Sequence, residues 1–151
     1  MPIRRNLALR SLSRDHHNSL VLARGLRSNA STNLRDVLPR DADALAEHVL
    51  RVFADIDRHL RSEETVLIPL VRGRDAALDA MCTVIETEHT ELRAVIGELA
   101  GSKHQPEAIR EILHRFGTLL EAHVHHEERT FYARIQEVLD PPALEELGAR
   151  L

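Results

Sequence analysis

Little in this chain of 151 residues can stack, cross-link or cross a membrane. Only four residues are Phe or Tyr and none is Trp, which removes the aromatic platforms that stack nucleic-acid bases. Lys and Arg number 20 against 24 Asp and Glu, so the basic excess that phosphate backbones require is missing. A single cysteine, Cys82, excludes an internal disulfide and a cysteine-based zinc knuckle. No apolar run approaches the length of a membrane span, and the basic N-terminus lacks the apolar core of a signal peptide. These absences point to a cytoplasmic protein with no nucleic-acid or membrane partner; a monomer or weak homodimer is the expectation. Glycine and proline are sparse, at six each. The length suits one domain over residues 1–151.

The stretches between the prolines and glycines carry a helical period and no strand-like alternation. A first helix is expected from about Ser11 to Ser28, followed by the polar link SNASTNLRDVLPR. A second runs from about Asp41 to Arg72. Its stripe is Leu45, Val49, Val52, Ile56, His59, Glu63, Val66 and Leu70, in alternating steps of four and three. Pro69 should bend its last turn, and Gly73 allows a tight turn. A third runs from about Asp75 to Ala100 with Leu78, Cys82, Ile85, His89, Leu92, Ile96 and Leu99 inward. A fourth runs from Pro106 to about Leu139, with Ile109, Leu113, Phe116, Leu120, His123, Glu127, Thr130 and Phe131 inward. Pro141-Pro142 stops it, and ALEELGARL forms a short helical tail. The implied fold is all-α: an antiparallel up-down-up-down four-helix bundle.

What is abundant is histidine, ten in all. Six polar side chains fall on inward positions: His16, His59, Glu63, His89, His123 and Glu127. His16 shares a face with Leu12, Leu20 and Ala23, whereas His17 points about 100° away. The second and fourth helices each carry His-x-x-x-Glu, which sets both side chains on one face one turn apart. Eleven residues separate His16 from Arg27 and His89 from Ala100. Seventeen separate Ala42 from His59 and Pro106 from His123. The first hairpin therefore repeats as the second, with its polar residues at the same depth. A buried carboxylate without a partner costs several kcal/mol. Two of them with four imidazoles and no inward Lys or Arg call for cations. Two imidazoles per ion with two shared carboxylates is a plausible set. Such oxygen and nitrogen donors without sulfur suit Fe or Mn and tolerate Zn.

A lone inward histidine is usually a satisfied core residue, and a purely structural bundle is the bland alternative. The paired motifs in matching hairpins argue against it.

The segments RDHHNSLVLARGL, RHLRSEETVLIPL, ETEHTEL and AHVHHEERTFY together resemble the hemerythrin-like, or HHE cation-binding, domain family. The resemblance implies a four-helix bundle around a carboxylate-bridged non-heme centre of two Fe ions. Its ligands would be His16, His59, Glu63, His89, His123 and Glu127, with Glu63 and Glu127 as bridges. Oxygen-carrying members have five His ligands, including His-x-x-x-His on the third helix. Here Arg93 stands four after His89. The set of four His and two Glu resembles instead a bacterial branch linked to iron, oxygen, nitric oxide or peroxide handling. The implied roles are binding, sensing or detoxifying a small diatomic ligand or peroxide. A catalase-like activity and iron storage are the alternatives.

Other residues have plainer readings. Glu64 and Glu128 are expected as surface charges, with a water-bridged role behind the ligands as the alternative. His125 should face solvent, and His126 should do the same unless it hydrogen-bonds a ligand. Tyr132 is assigned to packing, with electron relay as the alternative. Cys82 is expected to be an inert small hydrophobe.

Overall fold

The structure, a computed structural model, describes residues 5–27 and 38–151. The Ser- and Asn-rich link of residues 28–37 lies outside the described residues. Every regular element among the described residues is helical. A 3₁₀ turn, Leu7–Leu9, leads into α1, Arg10–Arg27. Then come α2 (Ala42–Ser62), a π-helical turn (Glu63–Leu67) and α3 (Ile68–Val71) in one continuous rod. Next is α4 (Ala76–Ala100). A second continuous rod is formed by α5 (Pro106–His126), a π-helical turn (Glu127–Phe131) and α6 (Tyr132–Val138). The tail forms α7, Pro141–Arg150.

The starts follow capping chemistry. Asp41, Asp75 and Asp140 each precede a helix in extended conformation and accept the backbone N–H three residues on, which an apolar residue could not satisfy. Pro106 begins α5 at a position whose N–H would have no helical partner anyway. Gly73 reverses the chain between α3 and α4 with φ +89°, where a side chain would be strained.

Both π turns correct the expected stripes. Beyond Glu63 the buried residues are Leu67, Ile68 and Val71, while Val66 and Leu70 are only half-buried. Beyond Glu127 they are Phe131, Tyr132 and Ile135, and Thr130 is exposed. In each turn the bond runs five residues back, from Ile68 N–H to Glu63 C=O and from Tyr132 N–H to Glu127 C=O. The wider turn takes up one extra residue, so the inward face moves one position along the chain. Uniform period counting cannot see that insertion.

The interior has two apolar clusters. One contains Leu22, Val49, Ile56, Leu92, Ile96, Leu113, Phe116 and Leu120. The other contains Leu9, Leu12, Leu67, Leu78, Ile85, Phe131, Ile135 and Leu147. Along every long helix the inward His and Glu residues fall between members of the two clusters. A polar layer is thus held between two apolar ones. On α5, Gly117 lets α1 come close: a Cβ there would sit 2.9 Å from the Ala23 carbonyl oxygen. At the other end Gly148 faces Ala8, and α7 closes over the Leu7–Leu9 turn. No helix among the described residues is long and apolar enough to cross a membrane.

Candidate metal centre

Six of the eight buried Ser, His and Glu side chains among the described residues are His16, His59, Glu63, His89, His123 and Glu127; the other two are serines. The most exposed of the six, His59, is 7% accessible. The helices bring all six together. His16, His59, Glu63 and Glu127 present donor atoms within 4.8 Å of one another, and so do Glu63, His89, His123 and Glu127. The two carboxylates belong to both groups, and each group takes its imidazoles from one hairpin.

The carboxylate oxygens divide between the groups. Glu63 Oε1 lies 3.4 Å from His59 Nε2, and Oε2 lies 3.1 Å from His89 Nε2. Glu127 Oε2 lies 3.4 Å from His16 Nε2, while Oε1 faces His123 and His89. Despite these approaches Glu63 Oε2, His89 Nε2, His123 Nε2 and both Glu127 oxygens have no hydrogen-bond partner. Leaving a buried polar atom unsatisfied costs about 1–3 kcal/mol, more for a charge. Five such atoms aimed at one another fit a cation-binding layer, and their donor type matches the cation that the sequence calls for.

The outer nitrogens of the imidazoles are fully provided for. The Nδ1–H of His16 donates to Glu128 Oε1 at 2.8 Å, and that of His59 to Asp15 Oδ2 at 3.0 Å. The Nδ1–H of His89 donates to Glu64 Oε1 at 2.8 Å, and that of His123 to Glu88 Oε2 at 2.6 Å. Each bond fixes the tautomer that leaves the Nε2 lone pair aimed inward, and it raises the basicity of that nitrogen. Glu64 and Glu128 are therefore not surface charges, as their positions after the motifs suggested. Nor is a water needed between them and the imidazoles, because the π turns swing both toward the facing helix.

Arginines hold the two carboxylates in turn. Arg93 donates to Glu64 at 2.7 and 3.2 Å and to Asp57 at 2.7 Å. Arg5 donates to the Glu128 carboxylate at 2.7 Å. The residue that replaces a possible fifth histidine thus anchors the partner of His89. His126 also takes a supporting place: its Nδ1 lies 2.9 Å from Glu88 Oε1, so it reaches His123 through Glu88 and touches no donor of the inner layer. His125 is half-buried, not solvent-facing, and pairs with Glu121.

Sequence reasoning missed Asp15 and Glu88. The signal was present: an acid precedes the inward histidine in both Asp15-His16 and Glu88-His89, and an acid follows each His-x-x-x-Glu.

Tyr132 corrects a second expectation. It is fully buried, as a packing residue would be, but its hydroxyl donates to Glu63 Oε1. Its ring stacks on that of His16, centroids 5.3 Å apart and planes 9° from parallel. Burial and the nearby Glu127 and Glu63 carboxylates push its ionisation well above the usual phenol range, so the group remains a donor.

Electrostatics follow the same logic. Burial opposes charge on His16, but Glu127 and Glu128 outweigh it and lift it to about 9. On His89, burial is outweighed by Glu127 and Glu63, again giving about 9. His123 is lifted to about 10 by Glu127 and Glu88 against burial. Glu127 is held well below the usual carboxylate range, its burial overcome by His123 and its other close neighbours. Cys82 is buried and its thiol is pushed up to about 11 by burial, in keeping with an inert role.

Comparison with curated proteins and with solved structures returns no match. The family model described as the hemerythrin HHE cation binding domain matches residues 7–135, a span that takes in all six inward His and Glu residues. The chain belongs to the hemerythrin HHE cation-binding domain family.

Proposed function

We propose that this chain is a carboxylate-bridged two-iron protein whose centre binds, senses or detoxifies a small oxidant: oxygen, nitric oxide or peroxide. One observation carries the reading: two groups of four buried donors share both Glu63 and Glu127. Each group would supply one ion with two imidazole nitrogens and one oxygen from each carboxylate. Nitrogen and oxygen donors without sulfur suit iron, with manganese or zinc tolerated. An ion preferring six ligands keeps positions for a small exogenous molecule. When bound, a pair of irons supplies two exchangeable electrons.

The chain's own residues do the rest. His16, His59, His89 and His123 hold their Nε2 lone pairs toward the centre, each steadied by its carboxylate. The apolar layers on either side exclude bulk water and large substrates. Tyr132 offers a hydroxyl donor inside this enclosure.

The same side-chain pairs support an antiparallel up-down-up-down bundle. His16 meets Glu128 while Arg27 meets Glu121, and Glu64 meets His89 while Asp57 meets Arg93. Glu88 meets His123 while Arg115 meets Glu98. In each case one helix ascends as the other descends. The packing of α7 on the Leu7–Leu9 turn supports one domain extending beyond the family match to the tail.

Loading with ferrous ion under anaerobic conditions, then rapid mixing with oxygen, nitric oxide or peroxide, tests the reading. An optical change within seconds for at least one of the three is expected. No response of the ferrous or ferric protein to any of them contradicts it. Oxygen release from peroxide, lost in His59→Ala, would identify a disproportionating enzyme.

A further inference from the structure

The hairpin repeat breaks at one inner residue. Five positions after Glu127 stands Tyr132, and five positions after Glu63 stands Ile68. Both follow a π turn and both are buried. The phenol thus reaches the shared layer from one side only. It occupies Glu63 Oε1, the oxygen facing His59, and its hydroxyl lies 3.5 Å from His16 Nε2. On that side His16 Nε2 and His59 Nε2 also lie 3.1 Å apart, within hydrogen-bond distance. On the other side only imidazoles and carboxylates approach one another, His89 Nε2 to Glu63 Oε2 at 3.1 Å and His123 Nε2 to Glu127 Oε1, and no hydroxyl competes for either oxygen.

We infer that Tyr132 is a positioning residue that makes the two cation positions unequal, so that a first divalent ion enters the His89–His123 group in preference to the His16–His59 group. The inference rests on the two-ion reading above. A cation on the His89–His123 side displaces only the protons its imidazoles hold toward the carboxylates, a cost that both sides share, and meets no phenol. A cation on the other side must share Glu63 Oε1 with the phenol hydrogen bond or break that bond. A hydrogen bond to a charged group corresponds to about a tenfold preference. Ile68 has no hydroxyl to impose the same cost on Glu127.

The test is titration of the metal-free full chain with cobalt(II) alone, followed by proton and fluorine magnetic resonance. Tyr132 is the only tyrosine, so 3-fluorotyrosine labels this site and no other. At one equivalent, one dominant pair of hyperfine-shifted imidazole N–H signals is expected, with four signals at two equivalents. The fluorine resonance should move mainly with the second equivalent. In Tyr132→Phe the preference should fall away, and four signals of similar intensity should appear at the first equivalent. Mutual repulsion between ions in equivalent positions would still give four signals at one equivalent, so that pattern in the wild type overturns the inference. A fluorine shift completed by the first equivalent overturns it too, as does a Tyr132→Phe spectrum that keeps one dominant pair. The labelled wild-type protein decides the matter if the variant does not fold. Failure to bind two cobalt ions would sink the two-ion reading itself; two ions bound without preference would sink only this inference.

Discussion

Four imidazoles donate outward to carboxylates, and in the proposed two-ion centre that arrangement would make affinity depend on residues that never touch an ion. Replacing Glu88 or Glu128 by Gln keeps the shape but removes the charge that holds the imidazole. Divalent-ion affinity should fall about 10- to 100-fold in either variant. Competition with a chromophoric chelator measures this, and unchanged affinity in both would refute the role assigned to these bonds. Protons compete for the same nitrogens. Without metal, His16 and His89 titrate near 9 and His123 near 10, against an ordinary 6.5. Ligation needs them neutral, so ion uptake near pH 7 should release protons and tighten as pH rises toward 9. Calorimetry in buffers of different ionisation heat reads the release; none would contradict imidazole ligation. The metal-free fold should respond in the opposite sense. Its raised imidazole values contribute stability that is complete below pH 6.5 and is lost as pH rises through 9–10. At this scale the six inward residues were legible because a polar residue on an apolar helical stripe is conspicuous. The partners Asp15, Glu88, Glu64 and Glu128 were legible only as acids beside the motifs, because acids at exposed or half-exposed positions look like ordinary solvated charge until the facing helix is in place.

The two π turns matter most among the elements, for each begins at one of the shared carboxylates. Counting in steps of three and four reads correctly through His59–Glu63 and His123–Glu127, then fails by one residue at Val66, Leu70 and Thr130, while Phe131 is inward as expected. The failure has a definite energetic signature. Leu67→Ala should cost about 2–5 kcal/mol and Phe131→Ala about 3–5 kcal/mol, as buried large-to-small changes do. Val66→Ala, on the expected stripe but only half-buried, should cost less than Leu67→Ala, and Thr130→Ala should fall within about 0.5 kcal/mol of wild type. Denaturant unfolding of the four variants checks this order, and the reverse order would restore an unbroken α-helical register. Helix starts were easier to read than the register within them. Asp41, Asp75 and Pro106 announce their helices through local chemistry, whereas a π turn shows itself only through the packing that follows it. Pro69 was expected to bend the last turn; the irregular turn lies just before it, at Glu63–Leu67.

For the whole molecule, a polar layer between two apolar clusters means that ions bound as proposed would support the fold, and the fold them. Ions that bind only the folded chain should stabilise it by about 2.7 kcal/mol per site at a hundred times Kd. In a chain of this size each kcal/mol raises Tm by about 2–4 °C. Calorimetric scans with and without zinc should show the rise, and Glu63→Ala, which takes a donor from both groups, should abolish most of it. The all-helical class was legible at this scale from period and punctuation alone, and the family from the spacing of its His and Glu residues. The inequality of the two halves was not, because it depends on a single hydroxyl that packing turns toward Glu63.

The most direct test of two cations held by shared carboxylates is a metal count on the chain after anaerobic loading with ferrous ion and removal of excess. Two ions per chain, falling below one in a Glu63→Ala, Glu127→Ala double variant, is the result predicted. A wild-type chain that retains none, or that retains two regardless of those carboxylates, would contradict the account.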